Sequence, residues 1–219
     1  MRYIYLLVIL CFFNCNNERV LLLPEIENAE VTEVLDVSPA YIFYDETKPD
    51  STLLNRKNLI STTNWLVNVD KRLTLKQAIP HIKFLQDKKQ NAEMHKNEDA
   101  KNYFTCNDTS ISNLGFLEFT EVNYLSSEDS VEDNSNELCH LIVFDLTDIQ
   151  IISNSNAVYK ATLENLASVL DKSYKKDKEL KILLLAFSEN LIFQDYIDIK
   201  SILRPFEKSI SKNEFIFNP

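Results

Sequence analysis

The stretch KILLLAFSENLIFQDYIDIKSIL, ending at Leu203, carries the alternation of apolar and polar positions around which the rest of the chain is read. Ile182, Leu183, Leu184, Leu185, Ala186 and Phe187 form a continuous apolar run, as expected of a short strand buried on both faces. The polar Ser188-Glu189-Asn190 ends it. Phe193, Tyr196, Ile197, Ile199, Ile202, Leu203 and Phe206 then recur at helical spacing, and Pro205 threatens the ladder near its end. The same grammar occurs from Asn64 to Leu85. Trp65, Leu66, Val67 and Val69 predict a strand, Asp70-Lys71-Arg72 a break, and Leu75, Ala78, Ile79, Ile82 and Leu85 an amphipathic helix. Thr74 with Gln77 reads as a capping box for that helix, and Pro80 as a kink or tight first turn within it. Laid together without gaps, Leu66, Leu73, Ile79 and Leu85 fall on Leu184, Leu191, Ile197 and Leu203. That match fits an internal duplication, and fits two unrelated strand-helix units with shared patterning as well.

Elsewhere Ala40 to Tyr44 is rich in aromatic and β-branched residues and predicts a strand, with a short helix expected over Leu53 to Ile60. Gln86 to Asn102 is polar, either a solvated helix extension or a loop. Tyr103 to Cys106 and Gly115 to Thr120 read as strand ends around a turn. Leu141 to Phe144 and Ile149 to Ile152 flank Asp145-Leu146-Thr147-Asp148 as a hairpin or a bent strand. A helix is expected over Ala157 to Tyr174, capped by Ser155 or Asn156, and a last strand over Glu214 to Phe217. The fold expected is α+β, with two small halves that each hold a strand-helix-strand unit, the sheet covered by helices. The halves span 38–125 and 138–219, joined by the acidic low-complexity linker 126–137. Residues 16–37 read as a tether leading into a frayed helix or an edge strand.

Composition narrows the function. With 45% hydrophobic residues the chain can bury a proper core. A net charge of -10 argues against unaided binding to nucleic acid or to an anionic bilayer surface. Gly115 is the only glycine. Phosphate-cradling loops, dinucleotide fingerprints and nucleophile elbows all need glycines where a side chain would block the backbone, so these motifs are absent.

Met1-Arg2, the apolar run Tyr3 to Phe13 and the polar boundary Asn14-Cys15-Asn16-Asn17-Glu18 describe a secretory leader, shorter than the ~20 residues that span a bilayer. The place of Cys15 straight after the apolar run resembles a bacterial lipoprotein signal, in which the cysteine becomes the acylated first residue of the mature chain. Phe12-Phe13-Asn14 stand where that signal usually has an aliphatic and two small residues. The resemblance implies lipidation at Cys15 and attachment to the cell envelope, in the periplasm or at the outer membrane.

A second resemblance rests on Leu163 to Leu170, Ile182 to Phe187 and Phe193 to Ile197. This order of elements in residues 138–219 resembles the periplasmic domain of the ExbD/TolR family, which works beside proton-driven membrane motors. Tyr3 to Phe13 lacks the acidic membrane helix of that family. The likeness implies a binding domain in the envelope, or an accessory of a transport or energy-transduction complex.

Chemistry-bearing residues are sparse. His81, His95 and His140 do not pair at metal-ligand spacing, so no metal or cofactor is expected. Cys106 and Cys139 remain after export and are candidates for a disulfide, worth roughly 3 to 4 kcal/mol in the chain-entropy model. The competing readings are buried thiols or a catalytic thiol near His140. Asp70 and Asp145 stand at strand ends, where aspartates act as turn formers more often than as acids or bases. Trp65 with Tyr41, Phe43 and Tyr44 reads as aromatic core or as a sugar-stacking surface. Asp50-Ser51-Thr52 and Asp129-Ser130-Val131 are similar to an O-glycosylation pattern of some bacterial envelopes. The expectation is a lipid-anchored envelope protein that binds or scaffolds a protein partner without catalysis. The rival is an envelope hydrolase or thiol enzyme using Asp70, His81 or Cys106.

Overall fold

Two six-stranded sheets divide the chain between them, and the fold is α+β. The computed structural model describes residues 19–91, 97–126, 138–153, 156–176 and 182–219. The leader with Cys15, His95, nearly all of the acidic linker and Asp129-Ser130-Val131 lie outside the described residues. The first sheet comprises β1 (Glu25–Ile26), β2 (Val37–Tyr44), β3 (Thr52–Asn55), β4 (Asn64–Val69), β5 (Asn102–Asp108) and β6 (Asn113–Glu118), with helix α1 (Leu75–Gln90) between β4 and β5. Its parallel centre is β2-β4-β5, closed by antiparallel β3 and β6 at the two edges. Along one side β5 pairs first with β4, through Trp65 to Val67, and then with β1, through Glu25 and Ile26. The segment expected as a tether thus joins this sheet at its tenth residue, Glu25.

The second sheet has the order β10-β9-β8-β11-β12-β7, built from β7 (Asn123–Ser126), β8 (Leu138–Val143), β9 (Ile149–Ile152), β10 (Val158–Ala161), β11 (Ile182–Ser188) and β12 (Ile210–Phe217). Helix α2 (Leu166–Lys176) follows a 3-10 turn at Leu163–Asn165, helix α3 (Phe193–Leu203) follows β11, and a second 3-10 turn spans Arg204–Ser209. Strand β7 comes directly after β6 in the chain yet pairs with β12, so Phe119 to Val122 carry the chain from one sheet to the other.

Three expectations change. The helix over Leu53 to Ile60 is not formed, because Thr52 to Asn55 pair with β2 across a turn closed by Asp45 N donating to Ser51 O. The helix expected from Ala157 begins later: Val158 to Ala161 pair with β9, and Thr162 and Asn165 start the helical turn instead. The Cys106 to Cys139 disulfide is not formed either. Cys106 sits opposite Gly115 in the first sheet and Cys139 opposite Leu183 in the second, each buried in its own sheet.

The two strand-helix units meet at their turns. Leu75 N donates to Leu191 O at 2.8 Å and Phe193 N to Leu73 O at 2.7 Å; Lys76 N donates to Glu189 O at 2.9 Å and Gln194 N to Lys71 O at 3.2 Å. These partners are reciprocal at the same sequence offset as Leu66 and Leu184. Helix starts leave N–H groups without intrahelical acceptors. Here each half supplies the acceptors for the other's first two. The Thr74 and Gln77 capping box forms as read, and α1 runs through Pro80 to Gln90.

One apolar core joins the halves. No residue of α3 is exposed. The Tyr196 ring lies 6.3 Å from Phe104 of the first sheet and 5.1 Å from Phe187 of the second. Unfolding is therefore expected to be a single transition. Trp65, the only tryptophan, reports on the first half. Leu185→Ala in the second half, costing about 2–5 kcal/mol, should lower the denaturation midpoint read by Trp65 fluorescence. Independent halves would leave that midpoint where it is.

Candidate functional site

The crossing between the sheets leaves a cleft of about 480 Å³. One wall is β6 with Phe119 to Val122, the other the end of α3, the 3-10 turn after it and the start of β12. Lys200 and Glu214 reach it from these elements.

Glu214 is fully buried. Its Oε1 accepts from Lys200 Nζ at 2.5 Å and its Oε2 from the Tyr196 hydroxyl at 2.8 Å. Tyr196 spends its proton there, so Tyr124, 3.2 Å away, donates to the Tyr196 oxygen. Burial, reinforced by the Glu214 charge, pushes both tyrosines well above the usual phenol range. The corresponding positions of the first half are apolar. Phe104 is paired to Val67 as Glu214 is to Leu185, and Ile82 and Ala78 stand where α3 has Lys200 and Tyr196. Phe104, Ile82 and Ala78 are buried, so this arrangement of strands and helix closes without charge.

The first half has a buried cation of a different kind. Lys89 Nζ donates to Lys101 O at 2.8 Å and Asn102 Oδ1 at 2.9 Å and lies 5.3 Å from the Trp65 ring centroid. Burial lowers its pKa to about 8. A second, more open cleft of about 630 Å³ lies across Arg204, whose guanidinium donates to Glu27 O at 2.8 Å and Asn28 O at 2.7 Å. Within it Asp198 accepts from Gln194 at 2.8 Å, and burial raises its pKa.

The residues singled out from sequence are not brought together. The Asp70 carboxylate is wholly buried in the fork of Arg72, at 2.8 and 2.7 Å, and Arg72 in turn lies 4.7 Å from the Tyr44 ring centroid. Burial would raise the Asp70 pKa, but the bonds from Arg72 and from the Leu22 backbone outweigh it and hold the group low. Asp145 is exposed and caps its own turn, accepting from Thr147 and from the Asp148 backbone. His81 Nε2 pairs with Thr52 Oγ1 of β3 at 2.9 Å, and His140 lies in β8 opposite Leu184. Burial pushes the Cys106 thiol up to about 12, which leaves essentially no thiolate for nucleophilic chemistry. Trp65 is core, its Nε1 donating to Ile60 O at 2.7 Å. Ser51 sits in the turn before β3 at φ 55°. Among the described residues no three His, Cys, Asp or Glu side chains group to hold a metal ion, and no helix is long and apolar enough to cross a membrane. Sequence reasoning missed Glu214, Lys200, Tyr124 and Lys89. The one local signal was a glutamate directly before the apolar Phe215-Ile216-Phe217 strand end.

Two predictions test these groups. Lys200→Met strands the Glu214 charge in the core and should cost about 3–5 kcal/mol, whereas Lys200→Ile with Glu214→Phe, copying the first half, should return close to native stability in chemical denaturation. For Lys89 the folded pKa lies below the unfolded 10.5, so its burial penalty is complete below pH 8 and is relieved as pH rises toward 10.5. Over that window the native chain should gain about 3 kcal/mol relative to Lys89→Met, measured as the change in their difference of unfolding free energy. Compared with models of protein families, with curated proteins and with solved structures, the chain matches none.

Proposed function

We propose that this protein is exported, acylated at Cys15 and held at the cell envelope as a non-catalytic binding or scaffolding module that contacts a partner protein. The observation that carries the reading is the separation of its reactive side chains. Asp70 is locked to Arg72, His81 to Thr52, and Cys106 is sealed in β5, each in a different contact of the first half. Acid-base or nucleophilic catalysis needs such groups within hydrogen-bond reach of one another or of a shared substrate position. The leader Met1 to Asn14, followed by Cys15, supports the anchor. Several acyl chains, at ~0.8 kcal/mol per buried CH₂, hold a protein at a bilayer essentially permanently. With a net charge of -10 the body itself adds no attraction to an anionic surface, so attachment rests on the lipid.

The test is expression with the native leader in a bacterium fed an alkyne-tagged fatty acid. The expected result is label on a chain that starts at Cys15 and fractionates with membranes, with both label and membrane association lost in Cys15→Ser. An unlabelled chain that still begins at Met1 and stays in the soluble fraction would overturn the reading.

A further inference from the structure

We propose that the cleft beside β6 receives an extended peptide segment of the partner, added as a strand along the outer edge of β6 and held at a main-chain carbonyl by Lys200. This names the partner's chemistry for the binding role above and rests on that role. Three observations lead to it.

The first is the edge itself. Leu117 and Gly115 face β5 in the pairs Phe104↔Leu117 and Cys106↔Gly115, and Phe119 N also donates inward, to Asn102 O. Phe116 N points outward and donates to Val31 O at 2.9 Å, so one residue of another segment already sits on this edge in the antiparallel sense. Strand groups alternate in direction every second residue. Glu118 N–H and C=O therefore face the same way, into the cleft, and meet no partner among the described residues. The edge is open where Val31 stops, and a peptide in line with Val31 would continue its pairing, as in strand addition.

The second is Lys200. Its ammonium has three N–H groups, one of which goes to Glu214; the other two have no acceptor among the described residues. Glu214 neutralises the charge, so the site suits a neutral carbonyl better than a free anion. The rim agrees: it carries both signs, Glu30, Glu118, Glu121 and Glu207 beside Arg204, Lys208 and Lys212. Mixed signs do not concentrate a simple anion or cation, but they accommodate the dipolar backbone of a peptide. The third is the apolar lining, where Val122 and Ile210 are part-exposed. They offer a seat for one apolar side chain. A cleft of about 480 Å³ lies within the ~300–1,000 Å³ of ordinary ligand sites.

The polar network then has a reason to exist. The first half shows that Phe and Ile fill the same places, and a buried ion pair is rarely more stable than such a replacement. Its gain is a donor presented at the floor of a cleft.

The experiment pans a phage-displayed random heptapeptide library on the full chain, purified from membranes and immobilised, and measures the enriched synthetic peptides on four proteins. Glu118→Ala keeps the outward N–H while losing the rim carboxylate and its contacts with Lys101 and Thr120, and serves as the reference for proline at the same position. Compared with Glu118→Ala, Glu118→Pro further removes that donor, on an edge where proline leaves the ladder to β5 intact. It should weaken binding at least tenfold, as should Lys200→Ile with Glu214→Phe. Thermal melts check folding, and if Glu118→Pro fails to fold, the double variant alone decides. Peptides that bind all four proteins equally would overturn the cleft and leave a binding module with another surface. No enrichment over a blank support would overturn the peptide, while acylation of Cys15 is read separately.

Discussion

Four backbone hydrogen bonds between Lys71 to Lys76 and Glu189 to Gln194 hold the two halves in one body, and most of the architecture follows from them. A helix start buried in a core needs acceptors for its first N–H groups, or each orphan costs about 1–3 kcal/mol. Side-chain caps supply part of this: Thr74 and Gln77 on α1, and Asp195 accepting from the Ile192 backbone on α3. The rest comes from the opposite half. Neither unit can close its helix start without the other, which is why α3 lies between elements of both sheets and why Phe104, Phe193, Tyr196 and Phe187 form a continuous chain of ring contacts across them.

The halves share a plan and differ in what fills it. At matching positions the first half has Ala78, Ile82 and Phe104, and the second Tyr196, Lys200 and Glu214. The apolar set needs no hydrogen bonds. The polar set is tolerable because Glu214 is satisfied at both oxygens, Tyr196 acts as donor and acceptor, and Lys200 is ion-paired to Glu214. Tyr124 completes that chain from β7, the strand delivered by the crossing after β6. The crossing thus makes both the cleft and one of the groups that let a charge sit beneath it.

Legibility from sequence followed the range of the interaction. The two strand-helix units, the Thr74 capping box and the Asp145 hairpin were readable because their signals lie within a few residues. Thr52 to Asn55 and Val158 to Ala161 were missed as strands because what fixes them is a neighbouring strand, β2 or β9, and not their own periodicity. Strand β7 could not be seen at all: Asn123 to Ser126 lie beside the acidic stretch and acquire meaning only against Asn213 to Ile216. Lys89 was hidden for a similar reason. It sits in a polar run, and only Trp65 and the Lys101 and Asn102 carbonyl groups turn it into a buried cation. The disulfide failed because two cysteines of suitable loop length were assigned by topology to separate sheets.

The single glycine, which argued so much by exclusion, has a positive role as well. A Cβ on Gly115 would meet Ala29 Cβ at 2.5 Å, so β6 accepts the N-terminal segment across it only as glycine. That segment is fastened at several points: Lys71 N donates to Leu22 O, Ala29 N to Asp108, and Arg204 to the Glu27 and Asn28 carbonyls. Its first backbone tie among the described residues, at Leu22, comes seven residues after Cys15. Seven residues extend at most ~25 Å. On the lipid-anchored reading the body is therefore kept within that distance of the bilayer, and the strap that runs from the anchor ends at Val31, on the very edge of β6 where the cleft begins.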